Sequence, residues 1–279
     1  NDLEDGDYNV AVGFNTQSSN VGGNYNVSMG YNSMQNTTAG GNTAVGAYSL
    51  GKNSTGNKNT AIGYQSGYYG STSNNCTSLG HLALEGKSGA TTGDGNTAIG
   101  AWCLDNNDIG MNNTAVGYAA MGAYDANSSV QGYNTCIGYS AGSSLQTSHA
   151  NVILGGFDGN EDGLDIRNSD NNIVLSDGDG RWRLHIESDG HTHIDGDISA
   201  TGDITSSASD ERLKENIEII ENAIDKIKTI DGIKFDWVSN IEEIGLKPKN
   251  KTEVGLIAQQ LEKVLPEAVC PAPFDTSGT

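Results

Sequence analysis

The chain is poor in the residues that build an ordinary core. Only 35% of its 279 residues are hydrophobic and 6% are aromatic. A single globule of that composition buries too little apolar surface per residue, so a stable fold needs repetition or partner chains. Cations are scarce as well: 15 Lys and Arg stand against 35 Asp and Glu, a net charge of -20. Neutralising phosphates takes clustered Lys and Arg, which argues against a nucleic-acid partner. The charge serves solubility and leaves room for bound cations. Cysteine is limited to Cys76, Cys103, Cys136 and Cys270, with no C-x-x-C pair. That spacing argues against a disulfide framework and against structural zinc, and fits small buried residues inside repeats. No apolar run approaches the ~18 residues of a membrane span, so no membrane insertion is expected. There is no initiator Met and no signal peptide, and the chain opens inside a repeat at Asn1, as a fragment or processed product would.

What the chain has in excess is glycine, 38 residues, and it is set in a pattern. Low hydrophobicity with high net charge otherwise favours disorder; the regularity argues against it. The unit reads Asn9-Val-Ala-Val-Gly13, Asn26-Val-Ser-Met-Gly30, Asn42-Thr-Ala-Val-Gly46 and Asn59-Thr-Ala-Ile-Gly63, then Cys76-Thr-Ser-Leu-Gly80 and Asn96-Thr-Ala-Ile-Gly100. It continues as Asn113-Thr-Ala-Val-Gly117, Asn134-Thr-Cys-Ile-Gly138 and Asn151-Val-Ile-Leu-Gly155. Successive glycines are 17, 16, 17, 17, 20, 17, 21 and 17 residues apart. A steady period of this length marks a stacked repeat. Each unit reads as a short strand followed by a second short strand or turn, such as Ala47-Tyr-Ser-Leu50. Alternation puts Ala44 and Gly46 on one face and Thr43 and Val45 on the other. The aliphatics Val12, Met29, Val45, Ile62, Leu79, Ile99, Val116, Ile137 and Leu154 are expected to form the core stack. One aliphatic per coil is thin, so coils are expected to pack against neighbouring chains. The glycine allows a tight turn or close backbone approach. The recurrent Asn either forms a side-chain ladder or closes a turn. Over residues 8–157 the units resemble the head repeats of trimeric autotransporter adhesins and related repeats of phage tail fibres. The resemblance implies a β-roll or β-prism wound about a three-fold axis.

Beyond the repeats, Asp158, Asn160, Asp162 and Gly163 sit at positions one, three, five and six of a calcium loop, but position twelve is Ser169 where a Glu is needed. A plain acidic turn is the competing reading. Trp182, Leu184 and Ile186 alternate with charged residues as a half-buried strand. His191-Thr-His193 would put two imidazoles on one strand face. Three chains about an axis would then offer an octahedral set suited to Fe(II) or Ni(II) rather than zinc. The stretch weakly resembles H-x-H metal motifs in the tip of T-even-type long tail fibres; two solvated histidines are the plainer alternative. Gly-Asp-Ile recurs at 196–198 and 202–204, a strand spiral that would make a stiff neck.

The chemistry changes at residues 207–217. Ser209-Asp210 before an amphipathic segment would serve as a helix cap. Ile217, Ile220, Ala223, Ile224, Ile227 and Ile230 have helical spacing up to Asp231-Gly232. Ile233 to Trp237 alternates as a strand, and Val254 to Leu265 reads as a strand running into a helix that ends before Pro266. Three motifs occur in order: Ser209-Asp-Glu-Arg-Leu-Lys-Glu-Asn-Ile217, Gly232-Ile-Lys-Phe-Asp-Trp237, and Val254-Gly-Leu-Ile-Ala-Gln-Gln-Leu-Glu-Lys-Val-Leu-Pro-Glu-Ala-Val269. In that order they resemble the endosialidase-type intramolecular chaperone domain that ends many phage tail fibres and tailspikes. The resemblance implies trimerisation of the C-termini, registered folding of a β-fibre, and self-release that traps the fibre kinetically. It implies Ser209 as nucleophile, the Ser209–Asp210 bond as the cut, and Lys214 as general base. A serine hydroxyl needs such a base, and a desolvated lysine can supply it. The long C-terminal helix usual in that family is absent before Thr279, which puts truncation and cleavage both in question.

The expectation is therefore a mainly β chain: a repeat β-roll or β-prism shaft (1–157), a strand neck (158–206) and a small α+β chaperone module (207–279). It is expected to act as a homotrimeric phage tail fibre on the virion, binding a host cell-surface receptor, either glycan or protein. A cellular trimeric adhesin head is the alternative. A glycan depolymerase is weakest, because no carboxylate pair stands out.

Overall fold

Each repeat closes as a three-residue strand: Val10–Val12 (β1), Val27–Met29 (β2), Thr43–Val45 (β3), Thr60–Ile62 (β4), Thr77–Leu79 (β5), Thr97–Ile99 (β6), Thr114–Val116 (β7), Thr135–Ile137 (β8) and Val152–Leu154 (β9). The structure is a computed structural model that describes residues 6–87, 93–124, 132–196, 198, 215–239, 251–266 and 269. Each strand pairs in parallel with the next and in register, as Thr43, Ala44 and Val45 do with Thr60, Ala61 and Ile62. The chain therefore winds as a β-solenoid with one strand per coil. A small hairpin follows, Asn160–Glu161 (β10) against Leu164–Asp165 (β11). Ile173–Ser176 (β12) then adds in parallel to β9, and Trp182–Ile186 (β13) and Thr192–Ile194 (β14) add antiparallel, giving a 12-stranded sheet.

The strands present the opposite face to the one expected for the core. Ala44, Ala61, Ala98, Ala115, Cys136 and Ile153, the middle residues, are fully buried. The aliphatics beside them point outward, with Val12 51%, Met29 47%, Leu79 43% and Ile137 42% exposed. Glycine decides the matter. A Cβ on Gly30 would come within 2.5 Å of the Gly46 carbonyl oxygen in the next coil, so this position must line the tight inner corner. A period of two then turns Asn, Ala and Gly inward together and sends Thr and the aliphatic out. The interior is completed from the turns, by Leu50, Leu84, Leu104, Met121 and Leu145, and by Phe157. These segments are turns rather than second strands, with Tyr48 and Leu50 both left-handed (φ 60 and 47).

The inward asparagines form a ladder. Asn26 Oδ1 accepts the backbone N–H of Asn42 (2.9 Å), and Asn42 Oδ1 accepts that of Asn59 (2.9 Å). Asn59 Oδ1 accepts that of Cys76 (2.9 Å). The line resumes from Asn96 to Asn113, Asn134, Asn151 and Asn172. Most of the amide nitrogens donate forward to a carbonyl, as from Asn42 to Gly56 (3.0 Å) and from Asn96 to Gly110 (2.8 Å), while that of Asn113 donates back to Asn96 Oδ1 (3.2 Å). At Cys76 the thiol takes the place of the amide and reaches the Gly93 carbonyl at 3.4 Å. A buried polar side chain is tolerable only when its groups are paired, and stacking supplies the partner in the next coil. The left-handed backbone belongs to the residue before the asparagine, such as Tyr25 (φ 59) or Lys58 (φ 57).

Just past each glycine stands an aromatic spine: Phe14, Tyr31, Tyr48, Tyr64, His81, Trp102, Tyr118 and Tyr139, neighbouring ring centroids 5.2 to 6.1 Å apart. The ~4.8 Å step between strands sets that spacing.

The second unit, from residue 198, holds Ala223–Lys228 (α1), Ile233–Asp236 (β15), Thr252–Gly255 (β16) and Ala258–Val264 (α2). β15 and β16 pair antiparallel. The strands and the second helix stand where the alternation and the Pro266 stop place them. The first helix is shorter than its pattern from Ile217 to Ile230. Its N-cap, Asn222, is left-handed (φ 52) and makes no side-chain cap bond. No residue of it is buried, and so short a helix gains little without packing.

Candidate functional site

The sequence directs attention to the junction at Ser209, Asp210 and Lys214; all three, like Cys270, lie outside the described residues. Downstream, the module's strands and second helix are tied by polar bonds. Asp231 donates its N–H to Gln260 Oε1 (3.0 Å), and Gln260 Nε2 donates back to Asp231 Oδ2 (3.3 Å). Phe235 and Trp237 meet edge to face at 5.0 Å. Around them the apolar residues stay in solvent: Ile219 is 92% exposed, Val254 78% and Ile224 70%.

The second candidate is the β13–β14 hairpin. Its turn is closed by Glu187 N–H to the His191 carbonyl (2.9 Å) and Gly190 N–H to the Glu187 carbonyl (2.9 Å). His193 pairs across the ladder with His185, and their rings stack at 5.8 Å. His185 is the buried member of β13, bonded through Nε2 to Asn172 Oδ1 (2.9 Å), while Trp182, Leu184 and Ile186 are half-buried. Burial lowers the pKa of His185, with His193 adding to the effect. His193 Nε2 lies 2.7 Å from Glu187 Oε1, and His191 Nδ1 lies 3.2 Å from Asp189 Oδ2. Ligand atoms of Glu187, Asp189 and His191 lie within 4.8 Å of one another. That is a reasonable donor set for one divalent ion. Alternation places His191 and His193 on the face of His185, opposite to the outward aliphatics.

The hairpin is braced by a residue that sequence reasoning missed. Arg183 reaches Asp177 (2.7 Å) and Asp195 (2.6 Å), and holds the Asp177 carboxyl below its usual range. On an alternating strand the arginine reads simply as one of the charged residues; Asp177 comes to it from the β12–β13 turn and Asp195 from the end of β14. Asp158, Asn160 and Asp162 enclose the β10–β11 hairpin. Asp158 Oδ1 accepts the Asn160 N–H (2.8 Å) and Oδ2 accepts the Ser144 hydroxyl (2.8 Å). Asp162 and Gly163 make its left-handed turn (φ 49 and 79). The described cysteines are buried, and burial pushes Cys76 up to about 11 and Cys103 to about 12. Neither is a thiolate nucleophile near neutral pH.

The family described as chaperone of endosialidase matches residues 209–270. Long tail fiber protein Gp37 of Enterobacteria phage K3 is 44% identical over 61 residues, covering 22% of this chain and 5% of its own. Its namesake from phage T2 is 44% identical over 61 residues, covering 22% and 4%. That of phage Ox2 is 39% identical over 90 residues, covering 30% and 35%. The chain thus spans between 4% and 35% of the length of these relatives. No solved structure matches significantly. No helix among the described residues is long and apolar enough to cross a membrane. A β-solenoid thus precedes a segment, residues 209–270, that matches the chaperone-of-endosialidase family, and the relatives that share part of this chain are long tail fiber proteins of phages.

Proposed function

We propose that three copies of this chain assemble side by side into a fibre that attaches to the host cell surface, with the C-terminal module setting their register. The observation that carries this reading is the outward apolar stripe. Val12, Met29, Ile62, Leu79, Ile137, Leu154 and Leu175 stand in one column of the sheet, each 39 to 51% exposed, with the half-buried Val45, Ile99 and Val116 between them. An apolar band running the length of the sheet exceeds what a soluble monomer leaves open. In-register parallel chains would cover it with the same band of a neighbour. The exposed isoleucines of the module continue the same demand. Light scattering on wild type and on a Leu79→Asp/Ile137→Asp double variant tests this. A trimer that becomes a monomer supports the stripe as the interface, and a wild-type monomer rejects the assembly.

Self-release belongs to the same reading. With Lys214 as base taking its proton, the Ser209 hydroxyl attacks the carbonyl of the Ser209–Asp210 bond once the chains are in register; the Asp210 nitrogen leaves with that proton as a free amine, and water hydrolyses the ester to a carboxylate. Wild type should lose the residues after Ser209 on a denaturing gel, and Ser209→Ala should not. If both run alike, chaperoning stands without cleavage. The carboxylates at His191 and His193 support metal binding at the hairpin, since ligand histidines commonly give their second nitrogen to a carboxylate. Because these histidines face away from the stripe, an ion held within one chain by Glu187, Asp189 and His191 fits better than a set shared about the axis. Metal analysis of wild type against His191→Ala decides whether any ion is held.

A further inference from the structure

One glycine of the shaft stands where the backbone does not need it. The position before each inward asparagine is left-handed in every coil and usually carries a side chain: Tyr8 (φ 60), Tyr25 (φ 59), Lys58 (φ 57), Asn75 (φ 57), Asn112 (φ 56) and Tyr133 (φ 58). Gly41 (φ 74) shares that conformation. A Cβ there would meet nothing closer than Lys58 Cγ at 3.5 Å, an ordinary contact. Gly95, the other glycine of the column, differs, because its Cβ would strike the Asn112 side chain. Neither strain nor crowding accounts for Gly41, and what its missing side chain leaves is space.

The space is a groove of about 640 Å³ across the coil corners, floored by Gly40 and Gly41. That volume lies within the range of small-ligand sites. Tyr25 forms one wall. Its ring stacks on Tyr8 (centroids 5.1 Å, planes 5° apart) on one side. The next layer of the column is Gly41, so the opposite ring face is left uncovered, and Tyr25 is 65% exposed. Along the flank runs a row of amides fixed in orientation. Asn74 Oδ1 accepts the Asn57 N–H (2.9 Å), Asn57 Oδ1 accepts the Gly40 N–H (3.3 Å), and Asp94 Oδ1 accepts the Asn74 N–H (2.8 Å). Asn57 Oδ1 keeps a second lone pair, whereas Asn74 Oδ1 and Asp94 Oδ1 each accept a second N–H, from the Asn57 amide (3.3 Å) and the Asn74 amide (3.2 Å). Lys58 and Asp94 also line the groove, one charge of each sign.

An open aromatic face beside pre-oriented amides is suited to a sugar ring, apolar on its C–H face and hydroxylated at its edge. We infer that this groove binds a neutral oligosaccharide, with one pyranose stacked on Tyr25 and its hydroxyls on Asn57 and Asp94. The balance of Lys58 against Asp94, on a chain of net charge -20, disfavours a polyanionic glycan. The inference rests on the host-attachment reading only for where such a sugar would be met.

The test is titration calorimetry of the full chain with neutral tetrasaccharides of glucose, galactose and N-acetylglucosamine. Gly41→Asn fills the groove with the residue that the same column carries at Asn75 and Asn112, and Tyr25→Ala removes the wall. The expected result is binding of at least one tetrasaccharide by wild type, weakened at least ten-fold in both variants while their melting curves match wild type. Equal binding by wild type and Gly41→Asn, or no binding of any tetrasaccharide, overturns the inference. Adsorption of wild-type chain to bacterial cells, measured separately, tells the two readings apart. Adsorption without groove binding keeps attachment and discards the groove, whereas groove binding without adsorption does the reverse.

Discussion

The shaft and the C-terminal module satisfy themselves in opposite ways. In the shaft every coil finds its partners in the next: the asparagine ladder, the glycine corner and the ring spine all run from layer to layer. In the module none of the described residues is buried, and Ile217, Ile224 and Ile227 stand 62 to 70% exposed. One region has a buried interior, and the other leaves the apolar side chains of its described residues in solvent. A domain that helps chains find their register is expected to have the second character.

The contrast is sharpest at glycine. Gly46→Ala places a Cβ against the Gly63 carbonyl at φ 129, and should cost the shaft about 3 kcal/mol or more. Gly232→Ala in the module meets nothing within 4 Å and should leave melting unchanged. Equal losses would break the comparison. Next comes the ladder. Asn113→Ala orphans the N–H of Asn134 and removes the amide bonds from Asn113 to Asn96 and from Asn134 to Asn113, at a cost of about 2 kcal/mol by denaturant unfolding. The reverse experiment uses the interruption. Cys76→Asn restores an amide facing the Gly93 carbonyl and should stabilise the shaft by about 1 kcal/mol. A loss would mean that the corner has adapted to sulfur.

The smallest effect is pH-dependent. His185 has a folded pKa below its ordinary value, so the unfolded chain binds the proton more readily. Its contribution is complete above pH ~6.5, the ordinary histidine value, and is lost as pH falls from there through the lowered folded pKa. His185→Gln should flatten that part of the stability curve. A curve unchanged by the substitution assigns the slope to other groups.

The strands, their period and the C-terminal elements were legible because asparagine, alanine and glycine recur at fixed offsets and because Pro266 and Gly232 punctuate the module. The inside of the shaft was not. Val45 and Ile62 look like core on hydrophobicity, and only the coil-to-coil approach at Gly46 and Gly63 shows that their face is the outer one. The Glu187–Asp189–His191 cluster was half visible. His191 drew attention, but its carboxylate neighbours come from a turn whose closure the spacing did not reveal. The bond from Arg183 to Asp195 depends on the same closure, and that to Asp177 on the β12–β13 turn.

The asparagine ladder also determines what can be edited. Each rung asks only for an identical rung one layer away, so no coil is addressed to a particular neighbour. Removing or inserting one 17-residue unit, such as the segment ending at Gly63, joins rungs that already fit. Shaft length is then adjustable in increments of ~4.8 Å, and the reach of the fibre can change without redesign of any surface along it.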